Sequence, residues 1–269
     1  MYDYHVHTTF SDDASLEMEV AIKRAIQMGI KEIVFTDHAE LSVWRPNGLI
    51  VDDLFDIPSY IEILYKYKEK YKDKISIKLG IEIGLQIEEK ERINQLVNEY
   101  SFDFVIGSSH TIDKYDLYFR NLFENKTKEE AYERYFKEVR KIVEKIDSYN
   151  VYGHLDVVRR YAYTEYEDIN INNIEREMIE EILKIIIQKG KGIEVNTSGF
   201  RYGIKSTNPD IDILSLYKSL GGEIITVGSD AHKEEDIGYK ILETYDLLRD
   251  IGYRYITTFE KMEPKFVRL

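Results

Sequence analysis

YDYHVHTTFSDD, residues 2–13, opens as a strand and closes as a turn, and the turn decides the fold. Its first five residues, YDYHV (2–6), form a short apolar and aromatic run of the kind buried in a sheet. An open doubly wound sheet usually places a glycine-rich phosphate loop directly after its first strand. HVHTTFSDD (5–13) contains no glycine and sets two histidines and two aspartates there instead. Side chains two apart on a strand share a face, so His5 and His7 can project into one space.

The same texture recurs along the chain. EIVFT (32–36), ISIKLGIEIG (75–84), FDFVIGS (102–108), NVYG (150–153), GIEVNT (192–197) and EIITVGS (223–229) read as further buried strands. Between them lie charged amphipathic segments that read as helices, at roughly 15–28, 58–72, 88–99, 127–147, 171–189, 210–219 and 238–250. In 127–147, Ala131, Tyr135, Val139, Ile142 and Ile146 recur at helical spacing, and Thr127 stands where an N-cap belongs. In 171–189 the expected stripe is Ile174, Met178, Ile182, Ile185 and Ile186. Gly29, Gly190 and Gly252 follow helical segments, as C-terminal caps do.

Strands that alternate with helices of this length pair in parallel. Seven such units in 269 residues predict an α/β fold closed, or nearly closed, into a single (β/α)7 barrel; an open doubly wound sheet is the alternative. With no repeat, low-complexity segment or flexible linker, one domain spanning 1–269 is expected.

Composition narrows the function. A formal net charge of −13 repels phosphate backbones, so no nucleic-acid partner is expected. The absence of cysteine excludes disulfides, thiolate metal sites and a cysteine nucleophile. No apolar run has the length of a membrane span, and the N-terminus lacks a signal peptide's basic and apolar regions; no membrane partner and a cytoplasmic location are expected.

All six histidines fall at or just past the carboxyl end of a predicted strand. His5 and His7 follow the first, and His38 ends FTDH after the second. His110 ends IGSSH, His154 lies in YGHLD, and His232 ends VGSDAH beside Asp230. Glu82 lies in the third strand, KLGIEIG. A lone histidine is ordinarily a surface or hydrogen-bonded residue. In a parallel barrel, however, the strand carboxyl ends converge on one face, where sites are built. Imidazole and carboxylate donors suit zinc, iron or manganese, whereas magnesium and calcium prefer oxygen alone. His5, His7, His38, Glu82, His110, His154, Asp230 and His232, with Asp12 or Asp13, exceed what one ion can use. Three divalent ions at about three protein ligands each would engage them all. Two ions with supporting histidines would engage fewer.

HVHTTFSDD, FTDH, GIEIG, SSH, GHLD and GSDAH, in this order, resemble the polymerase-and-histidinol-phosphatase (PHP) superfamily over nearly the whole chain. GHLDVVRRY and EVNTSGFRYG narrow the resemblance to its monofunctional histidinol-phosphate phosphatases. The resemblance implies a distorted (β/α)7 TIM-like barrel with a trinuclear metal site. His5, His7, Glu82 and Asp230 would hold one ion. Glu82 would bridge to a second, bound also by His110 and His154. His38, His232 and one acid of the SDD turn would hold the third, with Asp13 preferred to Asp12.

The implied reaction is hydrolysis of L-histidinol phosphate, a small phosphate monoester, by attack of a metal-bridging hydroxide without a phosphoenzyme. Another small ester, such as a nucleotide, is the alternative substrate. Arg160 and Arg201, just past the fifth and sixth strands, are the expected phosphate clamp, with Arg159 the competitor of Arg160. The leaving group's proton could come from a metal-bound water, Asp37 or Asp156. Trp44, Asp113, Tyr115 and Tyr118, in the long segments 38–53 and 110–121, are candidates to read the histidinol moiety. GSSH lacks the nucleophile elbow of a serine hydrolase, so a Ser-His triad is not expected.

Overall fold

A computed structural model describes Met1–Leu269. In chain order its strands are β1 (Tyr2–Val6), β2 (Glu32–Phe35), β3 (His38–Trp44), β4 (Ile50–Leu54), β5 (Ser76–Gly84), β6 (Phe104–Ser108), β7 (Thr111–Ile112) and β8 (Tyr115–Asp116). They continue with β9 (Val151–Tyr152), β10 (Gly192–Asn196), β11 (Ile225–Gly228), β12 (Tyr255–Glu260) and β13 (Glu263–Arg268). The helices are α1 (Met18–Gln27), α2 (Ile57–Tyr71), α3 (Lys90–Glu99), α4 (Lys128–Lys145), α5 (Val158–Ala162), α6 (Asn173–Gln188), α7 (Ile211–Ser219) and α8 (Ile241–Ile251).

The predicted strand runs are β1, β2, β5, β6, β9, β10 and β11, and they pair in that order, every pair parallel. The fold is therefore α/β around a mostly parallel sheet. At its two ends β1 and the segment after β11 meet. Val6 bridges Ala231 in parallel, the Asp230 amide donates to the His5 carbonyl at 2.8 Å, and the His7 amide donates to the Ala231 carbonyl at 2.9 Å.

Helix positions follow from amphipathic patterning. The α4 stripe Ala131, Tyr135, Val139 and Ile142 is buried, and Thr127 opens the helix with a capping box closed by Glu130. In α6 the expected stripe is rotated. Ile174 is 66% exposed, while Ile179, Ile182, Leu183 and Ile186 face the core. Asn172 caps α6, so Ile174 lies in the first turn, beyond the sheet that the later turns cover.

Three features were not foreseen. Segment 38–53, expected as a loop, forms the antiparallel β3–β4 hairpin, and β3 also pairs with β5, His38 opposite Glu82. Segment 110–121 likewise contains the short β7–β8 pair, and β8 meets β3 at Trp44 and Tyr115. After α8, β12 and β13 form a hairpin whose Phe259 packs among Tyr4, Val34, Phe104, Ile106 and Val151. β7 and β8 are two residues each, too short for a periodic signal, whereas β3, HAELSVW, does alternate, with Ala39, Leu41 and Val43 buried. No helix is long and apolar enough to cross a membrane.

Candidate metal centre

β1 delivers His5 and His7, and both are fully buried. Their Nε2 atoms lie 2.9 Å apart. His5 Nε2 is 3.0 Å from one Glu82 oxygen, and His7 Nε2 is 3.5 Å from Asp230 Oδ1. The other Glu82 oxygen is 3.0 Å from His154 Nε2 and 3.3 Å from His110 Nε2. Glu82 thus stands between two groups of donors. A third group surrounds Asp13, whose Oδ2 is 3.3 Å from His232 Nε2 and 3.8 Å from His38 Nε2. The His7 ring stacks between those of His38 and His232 at centroid distances of 4.1 and 4.2 Å.

The donor chemistry fits cations. His5 Nδ1 faces Glu194, and His110 Nδ1 faces Glu40, each at 2.5 Å; His7 Nδ1 lies 3.2 Å from the Ser11 hydroxyl. A neutral imidazole whose proton is on Nδ1 presents a lone pair at Nε2. The Nε2 atoms therefore point lone pairs at one another and at carboxylate oxygens, an arrangement that repels itself until positive charge enters. At a metal–nitrogen distance of about 2.1 Å, neighbouring ligands stand roughly 3.0–3.4 Å apart, matching most of these separations. Without metal, protons substitute. Burial disfavours a charged His5, yet Glu194, Glu82 and Asp230 outweigh it and hold its pKa well above the ordinary value. Burial, and then His38 and His232, push His7 down.

The structure brings His5, His7, His38, Glu82, His110, His154, Asp230, His232 and Asp13 together, in overlapping groups able to hold metal. Asp12 is exposed and makes none of these contacts. Asp37 and Asp156, expected as possible proton donors, are fully buried and engaged elsewhere. Asp37 accepts from the Thr8 amide and hydroxyl and from Ser11, fixing the turn after β1. Asp156 accepts from Asn208, Arg159 and the Asp210 amide. Through those bonds both carboxylates shape the loops that carry the donors, the supporting role that their places beside His38 and His154 also allow. His154 and Asp230 have positive φ, 23° and 55°, a strain that recurs at functional sites.

Arg160 and Arg201 both reach Asp230. Arg160 Nη2 lies 3.0 Å from its Oδ2, and Arg201 Nη2 donates to its carbonyl at 2.9 Å. Arg160 Nε and Arg201 Nη1 are buried without partners. Arg159 instead pairs with Asp156 and Asp210, which removes it as a competitor. Asp113 is occupied by Arg134 of α4, Tyr118 is largely exposed, and Trp44 packs on Tyr115 at 4.8 Å.

Sequence reasoning missed Glu40 and Glu194. Glu40 lies two residues from His38 on β3, which sequence reasoning had singled out, and Glu194 two residues from Asn196 on β10, each pair on one face of its strand. For Glu194 the available signal was an acid inside an otherwise apolar predicted strand; Glu40 lay in a segment not read as a strand.

Convergent histidines and carboxylates at the ends of parallel strands form a site whose donors could hold metal ions. The PHP domain family matches residues 3–198, and the chain belongs to that family. A histidinol-phosphatase of Lactococcus lactis is 35% identical across 97% of this chain and 95% of its own. A probable histidinol-phosphatase of Clostridium acetobutylicum is 30% identical across 99% of both. The crystal structure of the Lactococcus lactis histidinol phosphate phosphatase, complexed with zinc, L-histidinol and phosphate, superposes with a TM-score of 0.86 at 32% identity over 98% of each chain. A putative histidinol phosphatase from Listeria monocytogenes shares the fold, with a TM-score of 0.80 at 22% identity.

Proposed function

We propose that this chain is a metal-dependent phosphatase that hydrolyses L-histidinol phosphate to L-histidinol and phosphate. The carrying observation is the convergence of the imidazole and carboxylate groups with two guanidinium groups on one mouth. It occurs in a chain coextensive with a relative that holds zinc, L-histidinol and phosphate. The seven parallel strands form a distorted closed barrel of one domain, joined by the Val6–Ala231 bridge. The chain works in the cytoplasm, as its sequence leads one to expect.

Three divalent ions, of zinc, iron or manganese, are held in this reading. His5, His7, Glu82 and Asp230 take the first; Glu82, His110 and His154 the second; His38, His232 and Asp13 the third. When bound, such ions lower the pKa of water to near neutrality and neutralise phosphoryl oxygens. The chain's own residues do the rest. Arg160 is held through a single Nη by Asp230 and Ser198, so the remainder of its fork is free for phosphate oxygens. Arg201 is anchored by the Asp230 carbonyl and Asp236. Together they orient phosphorus for in-line attack by the oxygen of a water. A new P–O bond forms as the bond to the histidinol oxygen breaks, and that oxygen leaves with a proton. No side-chain nucleophile takes part.

The test is kcat/KM on L-histidinol phosphate beside AMP, a dinucleotide and a chromogenic phosphate ester, with metals quantified on the same sample. Histidinol phosphate should dominate, and chelation should abolish turnover. Preference for a nucleotide would overturn the substrate, and full turnover by metal-free protein would overturn the mechanism.

A further inference from the structure

Glu194 is a buried carboxylate that the reaction above does not use. It sits on β10, 1% exposed, beside β9, which leads into His154, and one strand removed from β1, which carries His5, with β11 between. One oxygen is 2.5 Å from His5 Nδ1. The other accepts the backbone amide of His154 at 2.9 Å and the Asn196 side chain at 3.2 Å. Gly228 makes the first contact possible: a Cβ there would stand 2.3 Å from the His5 Cβ and 2.7 Å from Glu194 Oε1.

We infer that Glu194 is a positioning residue that sets two metal clusters at once, His5 through its ring and His154 through its backbone. This rests on the metal-centre reading given above. His5 belongs with His7 and Asp230, and His154 with Glu82 and His110, so one carboxylate touches a member of each group. At His5 it accepts a hydrogen bond from Nδ1–H, which directs the Nε2 lone pair into the cluster and strengthens it as a donor. At His154 the mode differs. Its Nδ1 is buried without a hydrogen-bond partner, so no bond at that nitrogen orients the ring. The ring's direction follows from the backbone, held at a φ of 23°, a value non-glycine residues rarely adopt. The Glu194 bond to that amide stabilises the strained conformation and keeps His154 Nε2 at 3.0 Å from Glu82.

The chemistry requires a carboxylate rather than any polar group of that shape. Two oxygens must accept from donors on two different strands. In Glu194→Gln one of them becomes an amino group. Facing the His154 amide it sets donor against donor. Facing His5 it forces the proton to Nε2, where the imidazole can no longer ligate.

The experiment compares metal binding by the wild-type protein and E194Q, using zinc at buffered free concentrations and counting ions per chain. E194Q should hold zinc roughly 10- to 100-fold more weakly, with more than one equivalent affected. E40Q provides the comparison: Glu40 bonds His110 and groups with His38 and His110, but it touches no member of the His5, His7 and Asp230 group. Unchanged affinity in E194Q, or weakening confined to one equivalent, overturns the inference. The tautomer is read independently in zinc-loaded wild-type protein by long-range 15N–1H spectra, so the inference stays testable even if E194Q does not fold. His5 should carry its proton on Nδ1; coordination through Nδ1 overturns the inference. Wild-type protein that takes up no zinc at all would defeat the metal-centre reading itself, a separate result.

Discussion

Replacing Gly84 by alanine should disarm His110 without touching it. Gly84 lies on β5 beside β3, and a Cβ there would stand 1.8 Å from Glu40 Oε2, where ordinary contact begins at 3.4 Å. The carboxylate must therefore retreat by about 1.6 Å, the difference between those two distances. The bond to His110 Nδ1 is made by the other oxygen, Oε1, at 2.5 Å; a retreat of the whole carboxylate by that amount along the bond stretches it to about 4 Å, past hydrogen-bond range. Losing a hydrogen bond to a charged group costs about 1.5–3 kcal/mol. Lost orientation of a metal-binding histidine typically lowers affinity roughly 10- to 100-fold. Zinc titration of Gly84→Ala should show that loss, while thermal unfolding of the metal-free protein shifts by only about 1–3 kcal/mol of overpacking. The reasoning is refuted if the variant binds zinc as the wild type does, or if its crystal structure keeps Glu40 on His110.

Arg159 and Arg160 are neighbours with separable expected effects. Arg160→Ala should lower kcat/KM by about tenfold or more and, by leaving Asp230 unpaired, also destabilise, whereas Arg159→Ala breaks a buried pair with Asp156 and Asp210 and should destabilise by about 3–5 kcal/mol with a smaller loss of kcat/KM; kinetics beside denaturation on both variants separate the roles. Metal affinity should rise with pH. Burial opposes a charged His38, but Glu82 and Asp13 outweigh it and raise its pKa to about 9. In metal-free protein that charge contributes stability fully present below the ordinary value of 6.5 and lost as pH rises through about 9. Zinc needs the neutral ring, so its affinity moves the other way, climbing as His38 loses its proton through about pH 9; buffered titrations showing a flat or falling trend over that range would contradict this. Thr127→Ala should cost about 1 kcal/mol by opening the capping box of α4, read from denaturant midpoints.

The parallel strands and the long helices were legible because each has a local signature. A strand buried on both faces is a continuous apolar run, and a surface helix repeats every three or four residues. The histidines were legible for a related reason: in parallel pairing every strand's carboxyl end points the same way, so position along the chain becomes position in space. Asp13 against Asp12, and Arg160 against Arg159, were not separable from neighbouring letters. One residue's rotation at a turn or on a short helix sends the side chain to the donors or into the loops, and packing alone fixes that rotation. Glu40 and Glu194 stayed hidden because their partners, His110 and His5, lie 70 and 189 positions away. Composition and periodicity thus determined the α/β class, the parallel order and the face that gathers the imidazoles. Contacts between distant strands decided which carboxylates aim those imidazoles, because hydrogen-bond geometry is settled by close approach in space and leaves no periodic trace along the chain.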